Sequence, residues 1–196
     1  MSETEPDPDP LAGEKAALRR AMYARRKAAK AEDSGAAGAA RDRFLAAGLA
    51  AGAGVVSGYR PIRTEIDPTP LMEALLAAGH RLCVPVIEGA GRPLAFREWA
   101  PETPMTEGAF GAEVPAGGDW LEPGLLIAPL LAFDRRGFRL GYGGGFYDRT
   151  LARLRALRPT RAVGLAYAAQ EVEAVPTGPT DARLDAIVTE RDVIRP

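Results

Sequence analysis

The stretch that most limits what this chain can fold into is 125–157. An apolar run over 125–131 is followed by F-D-R-R-G-F-R-L-G-Y-G-G-G-F-Y-D-R over 133–149. From Phe146 the apolar residues change to helical spacing, with Phe146 and Tyr147, Leu151, Leu154 and Leu157 roughly on one side. The pattern predicts a buried strand over 124–133, a glycine-rich turn and a helix over 146–157. Glycine occupies four of the five positions 141–145, namely Gly141, Gly143, Gly144 and Gly145. Backbone there can take positive φ and approach a ligand without Cβ clashes. Its amides can turn inward as a nest, and the start of the following helix favours an anion.

Arg136, Arg139 and Arg149 add charge around the turn, and Asp148 runs against that trend. A carboxylate beside a phosphate needs a cation between them, and Mg2+ is held in this way by one or two carboxylates plus phosphate oxygens. The stretch thus reads as a loop for a Mg2+-bound nucleoside triphosphate. A surface turn with Asp148 as a favourable first-turn acid is the competing reading. The Walker pattern fails because the loop ends Gly145-Phe146-Tyr147, and the dinucleotide pattern fails because Phe146 stands where a glycine is needed.

A chain of 196 residues, 46% apolar, is long enough for one well-buried α/β domain and short for two. With 25 basic and 26 acidic residues, the net charge of −1 gives no global field to recruit nucleic acid or an anionic membrane. Cys83 is the single cysteine, so an internal disulfide is excluded and a buried thiol is expected. Residues 1–10 are acidic and proline-rich, unlike a signal peptide, and no apolar run approaches a membrane span. A cytoplasmic protein is expected, its first ten residues a disordered tail and 11–196 a single domain.

From 11 to 31 the composition favours helix, and Lys15, Arg19, Met22 and Arg26 form one stripe at i, i+4, i+7 and i+11. From pattern alone a basic stripe reads as a solvated face. A second helix is expected over 33–50, and strands over 55–59, 81–87, 93–99, 161–167 and 186–189. A helix over 67–78 is expected to start with Asp67 as N-cap and Pro68 at N1. The segment 100–124 carries no period and reads as a long loop, in which Phe110 and Trp120 offer aromatic faces. Alternating helices and buried strands predict an α/β fold: a mostly parallel sheet with helices on both faces, three-layered and Rossmann-like. Ligands in such folds gather beyond the carboxyl ends of the strands, where 59–65 and 133–149 both lie.

The word R-L-G-Y-G-G-G-F-Y-D-R, preceded by P-L-L-A-F-D, resembles the signature of the 5-formyltetrahydrofolate cyclo-ligases, and the resemblance extends along nearly the whole chain. It implies ATP- and Mg2+-dependent closure of 5-formyltetrahydrofolate to 5,10-methenyltetrahydrofolate; separately, a monomer is expected. K-A-A-L-R, that is Lys15, Ala16, Ala17, Leu18 and Arg19, looks like the family's phosphate-binding Lys-x-x-x-Arg element. The resemblance extends the ATP site over Arg139, Leu140, Gly141, Tyr142, Gly143, Gly144, Gly145, Phe146 and Tyr147. Tyr142 to Phe146 are shared with the folate site, and Lys15, Arg19 and Asp148 are the implied catalytic groups.

Glu65, in Y-R-P-I-R-T-E-I-D-P, is the implied folate contact with Arg60 as a neighbouring wall. A carboxylate can accept the paired N–H donors of an amino-pterin ring; the other reading of Glu65 is a residue that merely precedes the helix start. Asp181 is implied as a second Mg2+ contact opposite Asp148, its competing role being a turn residue. Asp185 is expected to brace the loop. Eukaryotic members carry basic residues where this chain has Tyr142 and Gly144, so neutralisation here leans on Lys15, Arg19 and the metal. Two rivals stand beside this reading: a sugar-phosphate isomerase or CoA-transferase-like enzyme, and a non-catalytic folate or nucleotide-binding regulator.

Overall fold

A computed structural model describes residues 11–32 and 35–196, and of Phe110 the backbone alone. The expected tail over 1–10 and the expected helix start at Asp33 lie outside the described residues. The elements run α1 (Ala12–Ala31), α2 (Ala36–Ala46), β1 (Val55–Ser57), α3 (Thr69–Ala77), β2 (Arg81–Val86), β3 (Ala95–Glu98), β4 (Met105–Glu107) and β5 (Glu113–Pro115). They continue β6 (Leu125–Pro129), β7 (Ala132–Phe133), β8 (Arg139–Leu140), α4 (Phe146–Leu157), β9 (Arg161–Leu165), β10 (Ala186–Val188) and β11 (Val193–Ile194). Among the described residues, seven strands form one sheet in the order β11-β10-β9-β6-β1-β2-β3. The five inner strands are parallel and only the two edges are antiparallel.

The two-residue period of the strands divides the core. Leu125, Ile127, Val56, Val163 and Val188 point to the face covered by Phe44 of α2 and by Leu71, Met72 and Leu75 of α3. Leu126, Ala128, Ala162, Ile187 and Cys83 point to the opposite face, covered by Leu151 and Leu154 of α4. The fold is therefore the expected three-layered α/β domain. Cys83 has its Sγ 3.6 Å from Val56 O, and burial pushes its thiol up to about 12. In the folded protein it should stay silent to an aromatic disulfide reagent at pH about 8, then titrate fully on denaturation. Immediate reaction of the native protein would contradict this packing.

Four sequence expectations are corrected. The apolar run over 124–133 is not one strand: β6 ends at Pro129, and Ala132–Phe133 turns away to pair antiparallel with Arg139–Leu140. The glycine turn is thus delivered by the second arm of a hairpin. The loop over 100–124 holds a second hairpin, β4 with β5, whose short arms are too exposed to carry an apolar period. Thr69 begins α3, later than expected, with Pro68 as N-cap and the Asp67 Oδ1 still accepting from Thr69 N at 2.9 Å.

The stripe on α1 is the fourth correction, because it is a packing face. Met22 and Arg26 are buried, and Met22 packs with Leu131, Ala132, Leu140 and Val175. This lays α1, ~30 Å long at 1.5 Å per residue, against the hairpin that follows the carboxyl end of β6.

Candidate active site

The hairpin turn is organised by Asp134, a fully buried carboxylate. Its Oδ1 accepts from Arg136 N at 2.9 Å and Phe138 N at 3.3 Å, and its Oδ2 from Val175 N at 2.8 Å and Arg136 Nη2 at 2.6 Å. Burial alone would raise the carboxyl, but the Arg136 guanidinium and the backbone donors outweigh it and hold the group below the usual carboxylate range. Arg136 therefore serves the hairpin rather than the glycine turn. Sequence reasoning gave Asp134 no role; an aspartate two positions before an arginine and three before Gly137 is a turn signal that could have found it.

In the glycine turn only Gly143 and Gly145 take positive φ, at 105° and 61°. A Cβ on Gly143 would touch the Arg19 guanidinium at 3.4 Å, and one on Gly145 would meet the movable end of Arg149 at 2.6 Å, so it is the left-handed conformation that calls for glycine at both positions. Gly145 is the left-handed N-cap of α4, whose first helical bond runs from Arg149 N to Gly145 O at 3.1 Å. Tyr147 and Asp148 precede that bond, so their amides have no partner inside the helix. Arg149 donates to Gly144 O and stacks on the Phe146 ring.

Helix α1 brings the Lys-x-x-x-Arg element to this turn. Arg19 Nε donates to Gly141 O at 2.9 Å. Lys15 Nζ donates to Asp181 Oδ2 at 2.8 Å, with both side chains largely shielded. Leu18 instead packs on the hairpin cluster, and Ala17 faces outward. Asp148 Oδ1 accepts from Arg139 Nη2 at 2.9 Å and from Ala182 N at 3.0 Å, which ties the start of α4 to the 178–182 loop and places the two candidate aspartates on neighbouring segments. Arg139, also bonded to Ala182 O, is buried beneath Asp148 and leaves the charge at the turn's mouth to Lys15 and Arg19. Asp185 accepts from Arg155 Nη2 at 2.8 Å and Ala162 N at 2.7 Å, a bracing position.

Among the described residues no group of three or more His, Cys, Asp or Glu side chains could hold a metal. Two carboxylates on adjoining segments, each with one oxygen already hydrogen-bonded, suit a hard cation that arrives with most of its ligands. That donor set fits Mg2+ carried on a triphosphate and does not fit a resident ion in an all-protein cage.

The 59–66 loop faces the same turn. Tyr59 closes it by donating its hydroxyl to Ile66 O at 2.7 Å, and Arg63 within it sits at a left-handed φ of 56°, a conformation that costs ~1 kcal/mol or more. Glu65 is 3% exposed; its Oε2 accepts from Ile62 N at 2.8 Å and its Oε1 from the Tyr142 hydroxyl at 2.7 Å. Burial is the leading influence on this carboxyl and raises it above the ordinary glutamate value. Arg60 turns to Glu113 of β5 at 3.3 Å, linking this loop to the second hairpin. Exposed Trp120 stacks with Arg97.

The residue that sequence reasoning placed on the stripe but not in the site is Arg26, fully buried. Its Nη2 donates to the Tyr142 hydroxyl at 2.8 Å, its Nε to Thr64 Oγ1 at 3.0 Å and its Nη1 to Leu130 O at 3.3 Å. A separate hollow of 660 Å³, lined by His80, Arg81, Trp99 and Thr103 among others, lies at the amino end of β2, opposite the edge where ligands gather in parallel sheets.

Fold and site together define a doubly wound α/β protein with a glycine turn flanked by cations and carboxylates at the carboxyl edge of its sheet. Residues 12–190 match the 5-formyltetrahydrofolate cyclo-ligase family, and the chain belongs to that family. It is 39% identical over 136 residues to the 5-formyltetrahydrofolate cyclo-ligase of Escherichia coli K12, covering 66% of this chain and 74% of that one. Its identity to the Mycolicibacterium smegmatis enzyme of the same name is 32% over 154 residues, covering 74% and 77%. The solution structure of Aquifex aeolicus 5,10-methenyltetrahydrofolate synthetase superposes with a TM-score of 0.77 at 30% identity, covering 92% of each chain. Among the described residues no helix is long and apolar enough to cross a membrane.

Proposed function

We propose that this protein is a 5-formyltetrahydrofolate cyclo-ligase that uses ATP with Mg2+ to form 5,10-methenyltetrahydrofolate. The observation that carries the reading is the convergence of Lys15 and Arg19 from α1 on the glycine turn, across from Asp148 and Asp181, in a chain of this family. Phosphoryl transfer asks a protein mainly for alignment and charge neutralisation, so a site without a nucleophile and base pair suits it.

The N5-formyl oxygen attacks the γ-phosphorus, forming the O–P bond as the bond to the ADP oxygen breaks. N10 then adds to the activated formyl carbon, the C–O bond to phosphate breaks, and the N10 proton is released. The 141–145 amides with Lys15 and Arg19 orient the triphosphate, and Glu65, walled by Arg60, orients the pterin. Asp148 and Asp181 would hold Mg2+ arriving with the triphosphate, which would supply charge neutralisation for phosphoryl transfer. Ring closure rests on the proximity of N10. The one buried thiol accords with a cytoplasmic protein.

The test is to mix protein, 5-formyltetrahydrofolate, Mg2+ and ATP and follow the near-ultraviolet absorbance of the methenyl product. Product that requires both ATP and Mg2+ is expected. Folate binding without product would favour the regulator, and indifference to folate the isomerase-like enzyme.

A further inference from the structure

Arg26 is a cation removed from water, and the carboxylate nearest to it is Glu65, at 3.9 Å. Holding such a charge inside a protein is costly unless every donor is met. Here the donors reach three separate segments: the loop that presents Glu65, the carbonyl at the end of β6, and the hydroxyl of Tyr142 in the glycine turn. Tyr142 accepts from Arg26 and in turn donates to Glu65 Oε1, so guanidinium, phenol and carboxylate form one continuous chain. The Tyr142 ring also lies 5.5 Å from the guanidinium and 6.0 Å from the ring of Tyr23 on α1. Beyond residue 142 the turn opens outward, with Gly143 and Gly144 exposed. Its attachment to the body is thus concentrated at Gly141 and Tyr142, and the Tyr142 attachment ends on the carboxylate assigned to the other substrate.

We infer that Tyr142, held by Arg26, couples the two substrate sites: a ligand whose ring N–H groups take Glu65 Oε1 displaces the phenol, and the freed glycine turn closes on the triphosphate. This rests on the function proposed above and deepens it, making Tyr142 and Arg26 positioning residues that give the two ligands positive cooperativity. Oε1 is buried and already accepts from the Tyr142 hydroxyl, with the Arg26 guanidinium 3.9 Å away, so an incoming pair of N–H donors competes with the phenol for it. A ligand shifts such an equilibrium by its differential affinity for the two arrangements, and couplings of this kind commonly reach roughly 5- to 150-fold.

The experiment is calorimetric titration of a non-hydrolysable ATP analogue with Mg2+ into wild type and Tyr142→Phe, each with and without saturating 5-formyltetrahydrofolate. In wild type the folate should tighten the analogue about tenfold. In Tyr142→Phe, which keeps the ring beside Arg26 but lacks the hydroxyl, the analogue alone should bind about as tightly as it binds folate-saturated wild type, and the further tightening by folate should fall below about twofold. Wild type that binds both ligands without coupling overturns the inference and leaves the function standing, as does a folded Tyr142→Phe that keeps the full coupling. Because the wild-type arm needs no variant, misfolding of the variant does not rescue the idea. Wild type that fails to bind 5-formyltetrahydrofolate overturns the function and the inference together.

Discussion

Replacing Asp148 with asparagine is expected to lower ATP-dependent turnover about 10³-fold, the equivalent of ~4 kcal/mol in the barrier, with the fold preserved. Asparagine keeps an oxygen where Asp148 Oδ1 accepts from Arg139 and Ala182 N, so the tie between α4 and the 178–182 loop survives. What disappears is the negative charge that would hold a divalent cation against the phosphates. Asp148→Ala is a harsher change, because it leaves the Arg139 guanidinium, 4% exposed, with Ala182 O but without its carboxylate, and so lowers stability as well as turnover. The two variants together separate chemistry from folding. Initial rates at saturating ATP, folate and Mg2+, read beside thermal midpoints, make the comparison. A folded Asp148→Asn with a rate within about threefold of wild type would remove Asp148 from the site.

Asp134→Ala should lose about 3 kcal/mol of stability at neutral pH, since it strands the amides of Arg136, Phe138 and Val175 that the carboxylate gathers in the turn. The pH dependence follows from the lowered carboxyl. Unfolded, the group titrates near its ordinary value, ~3.9; folded, it titrates lower. Its contribution is therefore complete above the ordinary value and fades as pH falls through the folded one. Urea unfolding of wild type and variant at neutral pH and in acid should show the gap between them narrowing in acid. A gap that stays constant would mean that Asp134 acts through shape alone. Because this hairpin carries the glycine turn, a residual fold of Asp134→Ala should also bind ATP more weakly.

The same hairpin shows where the sequence stopped being legible. The helix over 146–157 was readable to the residue, because Gly145 ends the turn and the apolar spacing changes abruptly at Phe146. The strand before it was not, because β6 and β7 are both apolar and almost wholly buried, and a continuous run looks the same whether it stays in one sheet or folds back into a hairpin. Pro129 was the available break signal. The parallel sheet and its two covered faces followed from alternation of element types, which is coarse enough to survive such errors.

Lys15, Arg19, Asp148 and Asp181 were named as candidates through the resemblance alone, and the fold sets them on neighbouring segments beside the glycine turn. Arg26 was visible only as the last member of a basic stripe. Its burial depends on Thr64, Leu130 and Tyr142, which lie 38 or more residues away in sequence, and helical periodicity cannot see partners at that distance. For the same reason Glu65, without the resemblance, read as a residue that merely precedes a helix start.

The central claim is that the glycine turn, flanked by α1 and the two aspartates, receives the triphosphate. Backbone amide resonances of uniformly labelled protein, recorded as ATP and Mg2+ are added, test it most directly. The account expects the largest shifts at Gly143, Gly144, Gly145 and the first turn of α4, with smaller ones at Lys15 and Arg19. Shifts gathered instead around the hollow near His80 and Trp99, with Gly143 to Gly145 unmoved at saturation, would contradict it.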